Sequence, residues 1–459
     1  MTRRFGAWCA ALVVAFALGA AAARGVLERA PPAIARDLAQ PLPVVTSWGA
    51  YGAWCFATLA LAIVLATLAL VAVLRAIPRD GLAHGVGAGA VVAFAALALA
   101  AAACFPFTFS SDPYAYAAYG EMAARGLDPY ALVAPNVHGT SIDAARYQWG
   151  GRYPVCVYGP AFVAFARALW SATTPFGPAA TVAAFRLCAS LAFLASIALL
   201  DAALAGLAPR RRLAIVCAYG LDPVLLWSVA EGHNDAGVLL VASGAAVLAR
   251  RGRAFAAGAF VGLAGLVKAP GALLAAAYAL DAAYVARPRA LVGIARRPGA
   301  VAGVALGLTV ATVFAIPPLL PALAEVGAHG TYEPTVSLQA LTGPVIAAGL
   351  AFLALAYALV RIARGDRDGF AWLGLAAVAA LPNVYPWYAL WLVPFALAAG
   401  PGGASRALYG VTLCAVIRYL PDAAGNMTVG IVRIASVGAM LPIVLAFTRA
   451  PRKKVVAPL

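Results

Sequence analysis

A polar segment in an otherwise apolar chain carries the residues best suited to chemistry. Residues 110–130 read SSDPYAYAAYGEMAARGLDPY and directly follow a long apolar run. Asp112 and Pro113 form a strong helix start, because capping residues precede a proline at the first helical position. Helical spacing then places Asp112, Tyr116 and Tyr119 on one face. A carboxylate held among phenols over an aqueous cleft could act as a general base, although helix capping alone would also explain Asp112.

Two further acids of this segment have simpler structural explanations. Glu121 and Arg125 stand four residues apart, which is the spacing of an ion pair on a helix surface. Gly126 is expected to stop a helix of about three turns, and Asp128 with Pro129 predicts a turn. We therefore expect an amphipathic helix on the outer surface of the membrane, and Asp128 remains a candidate substrate contact.

A second polar group interrupts the apolar sequence at residues 231–235, which read EGHND. Gly232 could end one helix, and Asn234 or Asp235 could cap the next. Four polar side chains within five residues exceed the needs of capping. His233, Asn234 and Asp235 are therefore candidate substrate-binding residues.

Charged residues inside apolar runs form a third group of candidates. Lys268 is the only lysine before the C-terminal tail and stands in GLVKAPG. It could bind a phosphate as a point charge, or its ammonium could simply reach the membrane interface. Asp222 precedes Pro223 within an apolar run, and an intramembrane carboxylate beside a helix-breaking residue is a functional-site hypothesis by default. Arg186 lies inside a span and is expected to face the protein interior.

Aromatic residues gather in two further stretches. One reads YQWGGRYPVCVYGP, where Arg152 and Tyr158 could line a sugar or phosphate site. The other reads LPNVYPWYALW, which predicts an irregular turn with Trp387 and Tyr388 as a platform for a sugar or a prenyl chain. Either stretch could instead be only an aromatic belt at the membrane interface.

Composition assigns the chain to the membrane. Its 459 residues are 64% hydrophobic and 11% charged, with a mean hydropathy of +0.90. Soluble domains are about 45–50% apolar and about 25% charged, so lipid must be the solvent for much of this surface. A span takes roughly 20 apolar residues, and about twelve such runs account for nearly the whole length. We predict an all-α polytopic bundle of about twelve spans, with no soluble domain of ordinary size.

Charge placement predicts topology rather than a nucleic-acid partner. The net charge is +16, but the basic residues stand in short clusters between apolar runs, which is the positive-inside pattern. This places the amino terminus in the cytoplasm and most acids outside. Asp112 is predicted outside and Arg210 inside, yet two apolar runs lie between them, and two full crossings would leave Arg210 outside. One of these runs must therefore not cross fully. Residues 155–170 are the candidate, because this run is the shorter and contains Gly159 and Pro160. The seven cysteines stand singly, which favours apolar packing over a disulfide or zinc framework.

The sequence divides into three parts. Residues 1–81 form two N-terminal spans, of which the first resembles a signal peptide and is expected to stay as an uncleaved anchor. Residues 82–448 form a membrane catalytic module with an outer catalytic loop at 108–154. Residues 449–459 form a basic cytoplasmic tail suited to anionic lipid headgroups.

The order of these motifs resembles a known family. SSDPYAYAAYGEMAARGLDPY, VYGP, GHNDA and PWYALW, within residues 82–397, are similar to the polyprenyl-phosphate-mannose-dependent α-mannosyltransferases of bacterial envelopes. The resemblance implies a GT-C fold, an extracytoplasmic site, a lipid-linked donor rather than a nucleotide sugar, and Asp112 as the base. The family often has Asn-Pro ahead of GHNDA and His-Pro-Trp-Tyr later, where this chain has Asp222-Pro223 and Tyr385-Pro386. These departures leave the sugar, the acceptor and the linkage open.

The resulting hypothesis is transfer of a sugar, mannose by the resemblance, from a polyprenyl phosphate to an envelope glycan or glycolipid acceptor at the plasma (inner) membrane. Asp112 would deprotonate the attacking hydroxyl, and the resemblance implies inversion. Lys268, His233 and Arg152 would offset the charge of the leaving phosphate. No cofactor is predicted, although Asp112 and Asp235 could share a divalent metal. The alternative is a transporter or flippase of lipid-linked precursors, which would often show paired repeats that this sequence lacks.

Overall fold

The computed structural model describes most of the chain, and every regular element in that part is a helix. The described residues are 3–32, 49–78, 86–105, 110, 112–131, 134–148, 155–285, 298–332, 336–364, 366–400, 402–424 and 428–448. Ser111, Arg152, the basic cluster at 286–297 and the tail at 449–459 lie outside them.

Most of the described helices are separated by only a few residues. In chain order the α-helices are α1 Arg3–Leu27, α2 Gly49–Ala76, α3 Val86–Ala103, α4 Asp112–Ala124, α5 Thr140–Gln148, α6 Pro160–Thr173, α7 Pro178–Ala203, α8 Pro209–Gly220, α9 Pro223–Ala230, α10 Asp235–Arg250, α11 Ala254–Val267, α12 Gly271–Val285, α13 Pro298–Tyr332, α14 Leu338–Thr342, α15 Pro344–Ala363, α16 Asp368–Ala380, α17 Ala389–Ala399, α18 Gly403–Cys414, α19 Leu420–Ala423 and α20 Val429–Thr448. Within the described residues, three short 3₁₀ helices lie between them, at Thr174–Phe176, Pro386–Tyr388 and Ala415–Tyr419.

Several of these helices can cross a membrane. Within the described ranges six helices are long and apolar enough, and a seventh span results if α8 and α9, bent by 43°, count as one. The all-α polytopic architecture is thereby confirmed. The figure of about twelve spans stays a prediction, since shorter apolar helices such as α3, α11 and α16 could contribute to it.

The run at residues 155–170 is not a full span on its own. Residues 155–158 are not helical, and α6 begins at Pro160 and has 14 residues. At about 1.5 Å per residue it is roughly 21 Å long, which is shorter than the ~30 Å hydrocarbon core. This length supports the prediction that the run does not cross fully.

Helix α4 exists as predicted but does not lie on a surface. It ends at Ala124, and Gly126 follows with a φ of +74°, a conformation that favours glycine. Residues 113 and 115–122 are buried, so the predicted amphipathic surface position is wrong for α4. The reason is its sequence, which between Asp112 and Glu121 offers only proline, alanine, glycine and tyrosine. A side chain at Gly120 would collide with the Ala166 carbonyl of α6, which shows how closely the two helices approach.

The amphipathic helix of this region is α5. Its Ile142 and Ala145 are buried, while Asp143 is exposed. Glu121 connects it to α4, because Glu121 Oε2 accepts hydrogen bonds from the backbone N–H groups of Ser141 and Ile142 at 2.8 and 3.1 Å. Glu121 is therefore a buried cap of α5 rather than half of a surface ion pair, although Arg125 Nη1 does lie 3.6 Å from its other oxygen.

Two residues singled out within apolar runs have structural roles. Asp222 Oδ1 accepts hydrogen bonds from Val224 N and Leu225 N, both at 2.9 Å, and so caps α9. Capping accounts for one oxygen of this carboxylate, and the hypothesis that Asp222 marks a functional site stays a prediction. Arg186 of α7 faces inward as predicted, because its Nε donates to the Ala230 carbonyl at the end of α9 at 2.7 Å.

Candidate active site

Three side chains from three parts of the chain meet at one oxygen of Asp112. The hydroxyls of Tyr116 and Tyr158 donate to Asp112 Oδ2 over 3.2 and 3.4 Å, and His233 Nδ1 lies 3.3 Å from the same atom. In the described part of the chain the carboxylate contacts side chains and no backbone N–H group. Asp112 is thus held by a polar cluster, and its carboxylate does not cap the backbone N–H groups at the start of α4.

The turn between α9 and α10 delivers His233 and Asn234 to this cluster. Gly232 has a φ of +96°, and an added Cβ there would lie 2.9 Å from Arg186 Cγ, so glycine is required for conformation and for space. Asn234 occupies the N-cap position of α10, yet its side chain caps nothing. Its Oδ1 instead lies 3.3 Å from the hydroxyl oxygen of Tyr116, whose single proton is shared between Asn234 and Asp112. His233 is only 1% exposed, with its imidazole directed at Asp112.

Aromatic packing fixes Tyr116 and Tyr158 relative to each other. The Tyr116 ring meets Tyr158, Phe162 and Phe185 edge-on, with centroids 5.1, 4.9 and 5.6 Å apart. These edge-to-face contacts have the geometry that aromatic pairs prefer. The packing of these rings therefore holds both hydroxyls in place against Asp112.

The cluster favours an ionised Asp112. Burial raises the pKa of its carboxyl, but the hydrogen bond and charge of His233, the charge of Lys268 and the hydrogen bond from Tyr116 outweigh burial and hold the pKa below its ordinary value. The pKa values of Tyr116 and Tyr158 lie well above their ordinary value, first because of burial and then because of the Asp112 charge. A charged carboxylate is thus faced by two neutral phenol donors.

A second charged group adjoins the first. Lys268 Nζ lies 2.7 Å from Asp235 Oδ1, and the indole N–H of Trp391 donates to the same oxygen. The ammonium is also 5.4 Å from the ring centres of both Tyr158 and Trp391, within the range of a cation–π contact. Gly159 brings these parts together, because its N–H donates to the Val267 carbonyl at 3.0 Å beside Lys268.

The predicted irregular turn is found at residues 381–385, whereas 386–388 form a 3₁₀ helix and 389–391 begin α17. This segment reaches the cluster through stacking. Trp387 stacks on His233 with ring centroids 4.3 Å apart, and Tyr385 stacks on Trp387 at the same separation. Tyr388 meets Trp387 edge-on at 6.1 Å. Two protein rings already stack on Trp387. Its contacts therefore favour a role in holding His233 in place over a role as a platform for substrate.

An apolar cavity of about 500 Å³ opens beside the polar cluster. Gly232 and Asn234 form its polar end. The remaining walls come from α6, α7, α10 and α11 and include Phe162, Phe165, Phe185, Leu240, Val241 and Leu263. One residue, Asn234, therefore contacts both the cavity and the hydroxyl of Tyr116.

The structure gathers most of the predicted site residues into one place. The residues brought together are Asp112, Tyr116, Tyr158, His233, Asn234, Asp235, Lys268 and Trp387, with Tyr388 at the edge of the stack. Tyr119 points elsewhere and donates to the Val155 carbonyl at 3.3 Å. Asp128 is exposed and forms the predicted turn, accepting from Tyr130 N at 2.9 Å. Arg152 lies outside the described residues.

Sequence reasoning missed two members of the site. Trp391 and Tyr385 both stand in the LPNVYPWYALW motif, but neither was distinguished from an interfacial aromatic belt. No sequence signal separates them, because Trp391 contacts Asp235 and Tyr385 contacts Arg418, both distant along the chain. Among the described residues no three His, Cys, Asp or Glu side chains group closely enough to hold a metal ion. The expectation that no cofactor is needed stays a prediction.

Comparison with known proteins identifies the family. The family model described as alpha-(1->6)-mannopyranosyltransferase, N-terminal domain, matches residues 3–284, which is more than half of the chain. Searches among curated proteins and among solved structures found no match. The chain is therefore a multi-pass membrane protein that belongs to the alpha-(1->6)-mannopyranosyltransferase family, and this membership supports mannosyltransferase activity.

Proposed function

We propose that the protein transfers a mannosyl group from a polyprenyl-phosphate donor to a hydroxyl of an envelope glycan or glycolipid. The family supports the mannosyl group and the acceptor class. The membrane spans and the polar cluster support a donor that is itself embedded in lipid.

The observation that carries the proposal is the junction of polar cluster and apolar cavity at Asn234. A lipid-linked sugar has an apolar chain, a charged phosphate and a polar sugar in that order. The cavity offers apolar walls for the first isoprene units, and its polar end lies against the cluster of Tyr116, Asp112 and His233. A nucleotide sugar has no long apolar part that could fill this cavity.

Asp112 acts in this proposal as the general base. Its contacts with Tyr116, Tyr158 and His233 all go to Oδ2, so among the described residues Oδ1 has no protein partner and is the oxygen for the substrate proton. The acceptor oxygen attacks the anomeric carbon, and the bond from that carbon to the phosphate oxygen breaks with its electron pair going to the phosphate. The acceptor proton passes to Asp112, and one displacement inverts the anomeric configuration.

Lys268 is the main candidate to stabilise the leaving phosphate. An ammonium has three N–H donors, and one is directed at Asp235, which leaves two for phosphate oxygens. His233, which lies 3.3 Å from Asp112, is a second candidate to stabilise the leaving phosphate. Arg152 remains a third candidate on sequence grounds alone. The positive-inside pattern supports an extracytoplasmic site in the plasma membrane, with the amino terminus and the tail in the cytoplasm.

Reconstitution tests this function directly. The purified protein in vesicles receives radiolabelled mannosyl phosphoprenol, or labelled GDP-mannose as the matched control, together with envelope glycolipids. We expect label in the glycolipid and release of polyprenyl phosphate from the first donor only. Labelled glycolipid from GDP-mannose alone would contradict the donor assignment. Movement of the lipid-linked sugar across the bilayer without any transfer would establish the flippase alternative instead.

A further inference from the structure

A buried ion pair lies behind the aromatic stack. Arg418 Nη1 is 2.7 Å from Asp422 Oδ2, and the two residues are only 1% and 3% exposed. Arg418 belongs to the 3₁₀ helix Ala415–Tyr419 and Asp422 to α19. Removing two charges from water is costly, and an apolar pair of similar volume is often at least as stable. The pair therefore invites an explanation other than stability.

Arg418 stands at the end of a continuous column of stacked groups. Its guanidinium carbon lies 5.0 Å from the centre of the Tyr385 ring. Tyr385 is stacked on Trp387, with an interplanar angle of 10°, and Trp387 is stacked on His233, with an angle of 23°. His233 Nδ1 in turn lies 3.3 Å from Asp112 Oδ2. The column thus runs without interruption from a buried cation to the proposed base.

We propose that Arg418 is a positioning residue that fixes the imidazole of His233 against Asp112 through Tyr385 and Trp387. A cation over a ring face attracts the electron-rich face, and Asp422 holds that cation in one place. The imidazole can keep its contact with Asp112 only if its ring does not turn, and the stack on one side prevents turning. The role in transfer rests on the proposed function, whereas the mechanical role of the column does not.

The test compares Arg418→Met with Arg212→Met. Arg212 is also buried and forms an ion pair, with the half-buried Asp201, but it lies outside the column, so its variant controls for loss of a buried, paired arginine. The main measurement is acylation by diethyl pyrocarbonate, mapped by peptide mass spectrometry. His138, whose side chain is 72% exposed, serves as the internal reference for His233. This measurement needs no substrate.

We expect the labelling ratio of His233 to His138 to rise several-fold in Arg418→Met and to stay unchanged in Arg212→Met. Transfer in Arg418→Met should show kcat reduced about tenfold with KM nearly unchanged, because positioning acts on the reacting geometry. Arg418→Lys keeps the charge but lacks the planar guanidinium, so its labelling ratio and its kcat should lie between those of wild type and Arg418→Met. An unchanged ratio in Arg418→Met, or an equal rise in Arg212→Met, would overturn the proposal.

A second variant guards against misfolding of Arg418→Met. Tyr385→Leu interrupts the column and leaves the ion pair intact, so it should raise the ratio by the same factor. Adding Arg418→Lys to Tyr385→Leu should raise it no further, since coupled residues are non-additive; independent, additive effects would overturn the column. A wild-type protein that transfers no mannose would contradict the proposed function alone, and the labelling ratio would still decide the mechanical role.

Discussion

The imidazole Nδ1 of His233 lies 3.3 Å from the Oδ2 atom of Asp112, and this contact joins α4 to the turn between α9 and α10. Tyr116 supports it from both sides, because its hydroxyl reaches Asp112 Oδ2 at 3.2 Å and Asn234 Oδ1 at 3.3 Å. The two motifs that looked independent in the sequence form one hydrogen-bonded unit. Its chemistry should therefore change when any one member is altered.

Replacing His233 should shift the pH dependence of transfer. In His233→Gln the hydrogen bond and charge that lower the pKa of Asp112 are lost, so the carboxylate becomes protonated at higher pH. The acid limb of the kcat/KM profile should move to higher pH. His233→Asn, whose amide can replace Nδ1, should move it less. Identical acid limbs in wild type and His233→Gln would contradict the role of this contact.

Two tyrosines of α4 provide a matched pair. Tyr116→Phe removes a hydroxyl that contacts Asp112 and Asn234, whereas Tyr119→Phe removes one that donates to the Val155 carbonyl. Loss of this hydroxyl frees the Asp112 carboxylate to move out of its reacting position, so Tyr116→Phe should reduce kcat by roughly tenfold or more. Tyr119→Phe should reduce thermal stability slightly and leave kcat nearly unchanged. Equal losses of kcat in both variants would assign Tyr116 a purely structural role.

Lys268 can be separated from its partner by a double substitution. Lys268→Met leaves the buried Asp235 carboxylate unpaired, which costs about 3–5 kcal/mol of stability. Lys268→Met combined with Asp235→Asn removes that penalty and should restore the melting temperature. Transfer should stay about a hundredfold below wild type, because the phosphate lacks its cation. Asp235→Asn alone should remain more active than the double variant. A fully active double variant would limit Lys268 to neutralising Asp235.

The cavity can be filled without disturbing the fold. An added Cβ at Gly237, which lines the cavity from α10, meets no atom within 4 Å. Gly237→Leu should therefore occupy the cavity while improving helix propensity by about 1 kcal/mol. KM for a long-chain donor should rise about tenfold, and KM for a short-chain donor should rise less. Gly349→Leu is the control. An added Cβ at Gly349 of α15 also meets no atom within 4 Å, and this residue is exposed and lies outside the cavity. Equal KM values in both variants would argue against a lipid in this cavity.

Local sequence signals predicted the elements better than their surroundings. Gly126 and Gly232 were correctly identified as helix ends, because positive φ is a local requirement. The burial of α4 was missed, since its alternation of tyrosine with small residues fits a membrane surface as well as a packed helix. The prediction that Glu121 forms a surface ion pair was wrong because its capping partners, Ser141 and Ile142, lie on another helix.

The site itself shows the same division. The polar residues at 231–235 and Lys268 were recognised because charge is rare in this chain, and the structure places them together. Asp222 is an equally rare intramembrane charge, but the structure places it away from this cluster, where its Oδ1 caps α9 through Val224 N and Leu225 N. No sequence pattern distinguishes Arg418 and Asp422, because only the folded chain places Arg418 against Tyr385.

The most direct test of the account is transfer by Asp112→Asn from labelled mannosyl phosphoprenol. The amide keeps the size of the carboxylate but cannot accept the proton, so kcat should fall by about 10²–10⁴-fold, the usual contribution of a general base. Asp128→Asn is the matched control, because Asp128 is an exposed carboxylate in the same segment and serves a turn. It should transfer at close to the wild-type rate. Wild-type-like transfer by Asp112→Asn would contradict the assignment of Asp112 as the base.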